Sequence, residues 1–349
     1  MQSLSPKYLS NLSFTEEMLS SLKTIGEYKG KQKLFYKQTP EILESMKQVA
    51  MIESVESSNR IEGITAPHKR IEGIVLKSTS PKDRPEEEIA GYREALDMIH
   101  DSANYMKLNV NLVLQIHSVI NRFVVPGPSR FKSGENKIVE KNPDGSIGKV
   151  RFEPVSAFNT PRYMEGLVES YNQAINQDGR EPMVVIPLFV LDFLCIHPFG
   201  DGNGRVSRLL TLMLLYHFGY EVGRFISLER VIEESKETYY ECLQKSSVNW
   251  HDAKHDPFPW MRYFWGTLIR SYGEFEERVG EIRKGRGSKT EQVEKAVARF
   301  IGPFSISELE RECAGISRVM IKSVLQDMNK SGKINLIGKG RGAMWIKEK

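Results

Sequence analysis

Residues 197–208 read His-Pro-Phe-Gly-Asp-Gly-Asn-Gly-Arg-Val-Ser-Arg, which sets one imidazole, one carboxylate, three glycines and two guanidinium groups between the apolar runs MVVIPLFVLDFLCI and LLTLMLLYHFGY. Gly200, Gly202 and Gly204 leave backbone amides unobstructed and tolerate positive φ, as an anion-binding nest requires. A helix beginning near Asn203 would add its free N–H groups and its dipole, and phosphate is the natural occupant. Arg205 and Arg208, three apart on that helix, would share a face and offer guanidinium forks to phosphate oxygens. Asp201 is out of place beside an anion unless a divalent cation lies between them, which predicts Mg²⁺. His197, with an ordinary pKa near neutrality, can accept a proton from an incoming hydroxyl, an effect worth roughly 10²–10⁴-fold. Together these groups predict transfer of a nucleotide fragment to a hydroxyl. Singly each has an ordinary explanation, as a turn, a surface arginine or a structural histidine. No folding requirement calls for all of them at these offsets.

The elements that must hold this stretch are mostly helices. Residues 14–62 carry apolar positions at helical steps, among them Ile42, Met46, Val49, Ile52 and Val55, until Gly63 and Pro67 end the pattern. RIEGI occurs at 60–64 and again at 70–74, a spacing too short for a solenoid, so the two copies read as successive helix ends. Further helices are expected from Glu86 toward Asp101 and at 109–123, 161–176, 184–195, 203–218, 228–246 and 257–281. Between them KIVEKNPDGSIGKVRF has two β-like arms about Pro-Asp-Gly and predicts one hairpin. RKGRGS, 283–288, reads as a linker. Beyond it three short helical patterns and a ribbon turning about Gly-Lys-Gly-Arg-Gly fit a winged helix-turn-helix over 288–349.

Whole-chain properties bound the function. At 349 residues and 40% hydrophobic content the chain can build real cores. Its longest apolar run is broken by Pro187, Asp192 and Pro198, short of the roughly 20 residues of a membrane span. The N-terminus lacks a basic segment followed by an apolar one, so a cytoplasmic protein is expected. Cys195, Cys242 and Cys313 stand far apart and are expected to be reduced packing residues. Net charge is +4, but residues 288–349 alone hold twelve Lys/Arg against seven Asp/Glu, so any bias toward nucleic acid lies there. His251 and His255 are four apart in HDAKHD, yet Asp256 and Pro257 predict a loop and no third ligand is near, so no metal site is expected. His117, within an apolar helical pattern, reads as a core residue.

The stretch resembles the signature H-x-F-x-D/E-G-N-G-R-x-x-R of the Fic family at His197, Phe199, Asp201, Gly202, Asn203, Gly204, Arg205 and Arg208. The resemblance reaches the PSRFKSGENKIV loop and the hairpin and so spans about 40–280. It implies a mainly α fold, a Fic-type helical bundle with a small β-hairpin flap, here followed by the winged helix-turn-helix domain. The implied division is an N-terminal helical region with an inhibitory helix over 1–100, a catalytic core over 101–282 and the winged-helix-like domain over 288–349. The implied activity is protein adenylylation, the movement of AMP from ATP to a Ser, Thr or Tyr hydroxyl of a target protein.

Within that resemblance His197 would be the general base, Asp201 the Mg²⁺ ligand and Phe199 a buried anchor of the loop. Gly200, Gly202, Asn203, Gly204 and Arg205 would lie along the phosphates and Arg208 would hold the γ-phosphate. Tyr239 and Tyr240 resemble a segment that closes over the nucleotide base. The hairpin at 137–153 resembles a flap on which a target segment lies as an added strand. SSNRIEG, 57–63, resembles the family's inhibitory motif, with Ser58 and Glu62 on one helix face and Glu62 drawing Arg208 away from the γ-phosphate. Glu72 of the second RIEGI has His68 rather than Ser four residues earlier, so Glu62 is preferred. Self-modification and a homodimer are compatible with the reading. Competing readings are a nucleotide-sensing DNA-binding regulator, with SRVMIKSVLQDM, Lys333, Lys339 and Arg341 on DNA, and removal of AMP from targets. A winged helix can equally bind protein.

Overall fold

In a computed structural model of the protein, residues 2–36, 40–141, 147–284, 289–300, 302–313, 315–338 and 343–347 are described. The expected Pro143-Asp144-Gly145 turn, the linker's end at 285–288 and the ribbon tip with Lys339 and Arg341 lie outside the described residues. The helices of the first part are α1 Pro6–Ser10, α2 Glu16–Tyr36, α3 Pro40–Ile61, α4 His68–Val75, α5 Arg84–Ser102 and α6 Val110–Ile120. An antiparallel hairpin follows, β1 Ile138–Lys141 with β2 Ile147–Phe152, pairing Ile138 with Phe152 and Val139 with Val150. Then come α7 Thr160–Asn172, α8 Pro182–Ile196, α9 Asn203–His217, α10 Leu228–Glu234, α11 Lys236–Ser247 and α12 Phe258–Lys284. The last elements are α13 Lys289–Arg299, α14 Ile306–Glu312, α15 Arg318–Lys330 and the antiparallel pair β3 Ile334–Ile337 and β4 Met344–Lys347.

The chain forms two compact units, one of Met1–Lys31 and Ala50–Tyr272, the other of Gln32–Val49 and Gly273–Lys349. At the centre of the first lies α8, which is apolar all round and correspondingly buried from Val185 through Phe193. It packs on α7, α9 and α11, while α5 packs on α4, α6 and α9. Pro187 sits inside α8 and has no N–H to give the carbonyl of Met183, one turn back. The Trp265 indole N–H donates to that carbonyl at 2.8 Å, and the Trp260 indole donates to the Pro187 carbonyl at 2.8 Å. The carbonyl that proline deprives of its helical donor is thus satisfied from α12.

Three boundaries differ from the sequence expectation. The stretch expected as one helix over 14–62 is described as α2 and α3. The helix expected over 228–246 breaks at Ser235, whose hydroxyl turns back to the Val231 carbonyl at 2.9 Å and meets the Tyr263 hydroxyl at 2.8 Å. α7 passes into a π-helical turn at Gln173–Gln177. In the second unit α13, α14, α15, β3 and β4 enclose a core of Val293, Val297, Phe304, Leu309, Ile321, Leu325, Ile334 and Trp345. Ser305 and Glu308 form a reciprocal cap on α14, and Ser317 caps α15.

Candidate active site

α8 ends at Ile196, and His197 takes the left-handed conformation, φ 51° and ψ 61°, that non-glycine residues seldom adopt. Several contacts hold it there. The Lys132 ammonium, itself buried, donates to the Ile196 carbonyl at 3.2 Å, and the Lys132 N–H donates to the Pro198 carbonyl at 2.9 Å. The Asn136 amide donates to the carbonyls of His197 at 3.4 Å and Phe199 at 3.0 Å. Asn203 closes the loop from the other side, accepting from the Phe199 N–H at 2.9 Å and donating to its carbonyl at 2.8 Å. Phe199 is fully buried under the His117 ring, with centroids 3.7 Å apart and planes within 8°.

The His197 Nδ1 lies 3.2 Å from the Leu194 carbonyl. A carbonyl only accepts, so Nδ1 carries the proton and Nε2 keeps its lone pair. Burial, with help from the Lys132 charge, pushes the imidazole pKa down to about 4 against the opposing pull of the Leu194 carbonyl, Glu62 and Asp201. At neutral pH the ring is an unprotonated acceptor.

Gly202, at φ 80°, is the N-cap of α9 and supplies no side-chain cap, so no side chain occupies the first-turn N–H groups. Over this helix start lies the Glu62 carboxylate, because a Cβ placed on Gly204 would fall 2.1 Å from its Oε1. Arg208 reaches the same place. Its Nη2 donates to Glu62 Oε1 at 2.8 Å and to the Ser58 carbonyl at 2.9 Å, while its Nε donates to the Ser58 hydroxyl at 2.8 Å. Its Nη1 is buried with no partner among the described residues, and lies 3.1 Å from that same Gly204 Cβ position. Ser58 is fully buried, whereas the Glu62 side chain is 30% exposed.

Arg205 is directed elsewhere: only 1% exposed, it binds Glu88 at 2.8 Å and Asp201 at 3.0 Å. The Asp201 carboxylate itself is 82% exposed. His197, Gly200, Asp201, Gly204, Glu62, Tyr239 and Tyr240 line one cleft of about 810 Å³, within the range of small-molecule sites. The hairpin contributes Val139, Arg151 and Phe152 to its wall. Tyr239 is buried and its hydroxyl pKa is pushed up to about 12 by that burial. His251 and His255 do not meet. The first faces the Glu153 carbonyl and stacks on Phe152, and the second stacks on Tyr8 and meets the Ser3 hydroxyl.

Sequence reasoning missed Lys132, Asn136 and Glu88, and it read His117 as mere core. Lys132 and Asn136 sit in an aperiodic loop and Glu88 in an acidic helix start, so no spacing marked them.

Residues 107–215 match the sequence model of the Fic/DOC family. A Fido domain-containing protein of Dictyostelium discoideum is 39% identical over 83 residues, covering 22% of this chain and 58% of its own length. The protein adenylyltransferase and cysteine protease IbpA of Histophilus somni is 24% identical over 203 residues, 53% of this chain and 5% of that protein. The chain thus spans less than two thirds of either relative. The crystal structure of a Fic family protein from Desulfovibrio desulfuricans G20 shares the fold, with a TM-score of 0.59 at 19% identity over 97% of both chains. Residues 107–215 are thus a Fic/DOC family segment, and His197, Asp201 and Gly204 of its signature line one cleft.

Proposed function

We propose that the chain is a protein adenylyltransferase, moving AMP from ATP to a Ser, Thr or Tyr hydroxyl of a target protein, and that Glu62 restrains it. The observation that carries this reading is the neutral imidazole of His197 on the same cleft as a glycine-started helix over which the Arg208 guanidinium lies. Nε2 of His197 takes the proton from the target hydroxyl. The oxygen attacks the α-phosphorus, the bond to the β-phosphate bridge breaks, and pyrophosphate leaves with its charge offset by Arg208 and the N–H groups of Gly202, Asn203 and Gly204. Tyr239 and Tyr240 line the same cleft and would face the base, and the hairpin would offer an edge for the target segment. The name of the Histophilus relative is consistent with this chemistry.

Among the described residues no three His, Cys, Asp or Glu side chains cluster as a metal cage would. One exposed carboxylate, Asp201, suits Mg²⁺, which takes most of its ligands from phosphates and water. Asp201 would hold the ion, and the ion would offset phosphate charge. Glu62 restrains the site by pairing with the Arg208 Nη2 that a γ-phosphate would need. Its partial exposure on the cleft also favours a second reading, removal of AMP with Glu62 orienting a water.

Residues 1–100 and 101–282 are taken as the restraining region and the catalytic core, and 288–349 as a winged helix. In that last segment Arg318 is tied to Glu310 at 2.8 Å and Lys333 to Glu294 at 2.9 Å, which favours protein over DNA as its partner. A gel shift on duplex DNA that is lost on deleting 288–349 would reverse that order.

ATP labelled on the α-phosphate and ATP labelled on the γ-phosphate discriminate the chemistry. The α-label should pass to protein, rise in Glu62→Gly and vanish in His197→Ala. Transfer of the γ-label alone would overturn adenylylation. An unchanged α-label in Glu62→Gly would remove the restraint.

A further inference from the structure

We propose that Glu88 and His117 are positioning residues that set the Asp201 carboxylate for a divalent cation, and that Arg205 acts through that carboxylate and not on phosphate. The inference rests on the nucleotide-transfer reading and assigns roles to residues outside the glycine-rich stretch. Asp201 is the exposed end of a buried chain. Arg205, 1% exposed, gives Nη2 to Asp201 Oδ2 at 3.0 Å and Nη1 to Glu88 Oε2 at 2.8 Å, and Glu88 Oε1 is held in turn by Arg84 Nε at 3.3 Å. No described residue engages Asp201 Oδ1.

The main chain of Asp201 is pinned as well. His117 Nε2 lies 3.0 Å from the Asp201 carbonyl. The carbonyl must accept, so Nε2 carries the proton and Nδ1 accepts from the Ser129 hydroxyl. The ring is fixed by its stack on Phe199. Two helices, α5 and α6, therefore fix both the backbone and one oxygen of a side chain that is 82% exposed. A buried guanidinium needs a counter-charge, and Glu88 provides it. That need explains neither the reach of Arg205 to an exposed carboxylate nor the His117 bond to the same residue's carbonyl. With the Asp201 carboxylate 82% exposed, its pairing with Arg205 adds little to folding. Orienting a cation ligand explains both features, and loss of such supporting contacts typically weakens metal binding about 10–100-fold.

The test uses the full chain carrying Glu62→Gly, with α,β-methylene ATP, which cannot be cleaved at the α–β bridge. Mn²⁺ affinity is read by electron paramagnetic resonance in the presence of the nucleotide, and nucleotide affinity by calorimetry in EDTA. Relative to this parent, Glu88→Gln and Arg205→Met should each weaken Mn²⁺ about tenfold and leave metal-free nucleotide binding within about twofold. His117→Phe, which keeps the stack and drops the N–H, should move Mn²⁺ in the same direction. Thermal melts check folding, and Glu88→Asp, which keeps the charge but shortens the arm, replaces Glu88→Gln if that variant does not fold. Loss of metal-free nucleotide binding in Arg205→Met would make Arg205 a phosphate ligand and overturn the proposal, as would unchanged Mn²⁺ affinity in the Glu88 or His117 variants. A parent that binds neither nucleotide nor Mn²⁺ would instead bring down the nucleotide reading itself, and this proposal with it.

Discussion

His197 is held at φ 51° by hydrogen bonds to the carbonyls on either side of it, a strained conformation of the kind that persists where the surroundings over-determine it. Its depressed pKa has a direct readout in the free protein. The imidazole Cε1–H resonance should show no titration between pH 8 and about 5.5, since the pKa is about 4, whereas a solvent-exposed histidine would titrate near 6.5. A midpoint near 6.5 would remove the buried-base description. Gly204 gives a second test at this scale. A methyl there would collide with Glu62 Oε1, 2.1 Å away, so Gly204→Ala should destabilise the wild type or displace Glu62 from Arg208. With Glu62→Gly the sharpest collision is gone, leaving only the Arg208 Nη1 at 3.1 Å, and Gly204→Ala should cost less than it does in the wild type. Urea unfolding of the four proteins measures the coupling, and additive effects would show that Glu62 does not lie over the helix start.

α8 shows how an element can break a local rule and be compensated at a distance. Pro187 in a helix interior withdraws a donor from the Met183 carbonyl, and the Trp265 indole, from α12, satisfies it. Trp265→Phe keeps an aromatic ring but orphans that carbonyl, so it should cost about 1–3 kcal/mol in chemical denaturation. In a Trp265→Phe, Pro187→Ala double variant the helix regains its own donor and part of the loss should return. Absence of rescue would mean that the cost is one of packing. The same element shows how much the sequence disclosed. The apolar run before His197 named a buried helix, and Gly202 and Asn203 marked the start of the next. The sequence also placed Ser58 and Glu62 on one helix face, and the two do meet one arginine. It did not disclose the break at Ser235, where a side chain competes for the backbone, nor Trp265 as the partner of Met183, because neither leaves a periodic trace.

At the scale of the molecule, buried titratable groups tie stability to pH. His197 and His255 have pKa values pushed down to about 4 by burial, so each stabilises fully above about 6.5 and loses that contribution as pH falls toward 4. Asp192 is opposed in sign. Burial lifts its carboxyl to about 6, so its contribution is full below about 3.8 and is lost as pH rises through 6. Two histidines, with His117 lowered by burial in the same direction, against one carboxyl leave unfolding with a net uptake of at least about one proton between pH 4 and 6.5, and stability should fall by about 1.4 kcal/mol or more per pH unit of acidification there. Urea midpoints measured across that window check the sign. A stability that is flat or rises on acidification would show that the histidines are not buried in the neutral form.

The amino-acid sequence by itself determined the resemblance to the Fic family, the mainly helical character, the hairpin and the residues of the glycine-rich stretch, because those depend on residue types at fixed short offsets. Only the tertiary structure decided what stands behind them. Lys132 and Asn136 hold the turn of His197, His117 holds the Asp201 main chain, and Arg205 turns to Glu88 while Arg208 turns to Glu62. Each of these contacts joins residues far apart in the chain. Which buried charge finds which partner depends on how the helices pack, and no local spacing records that.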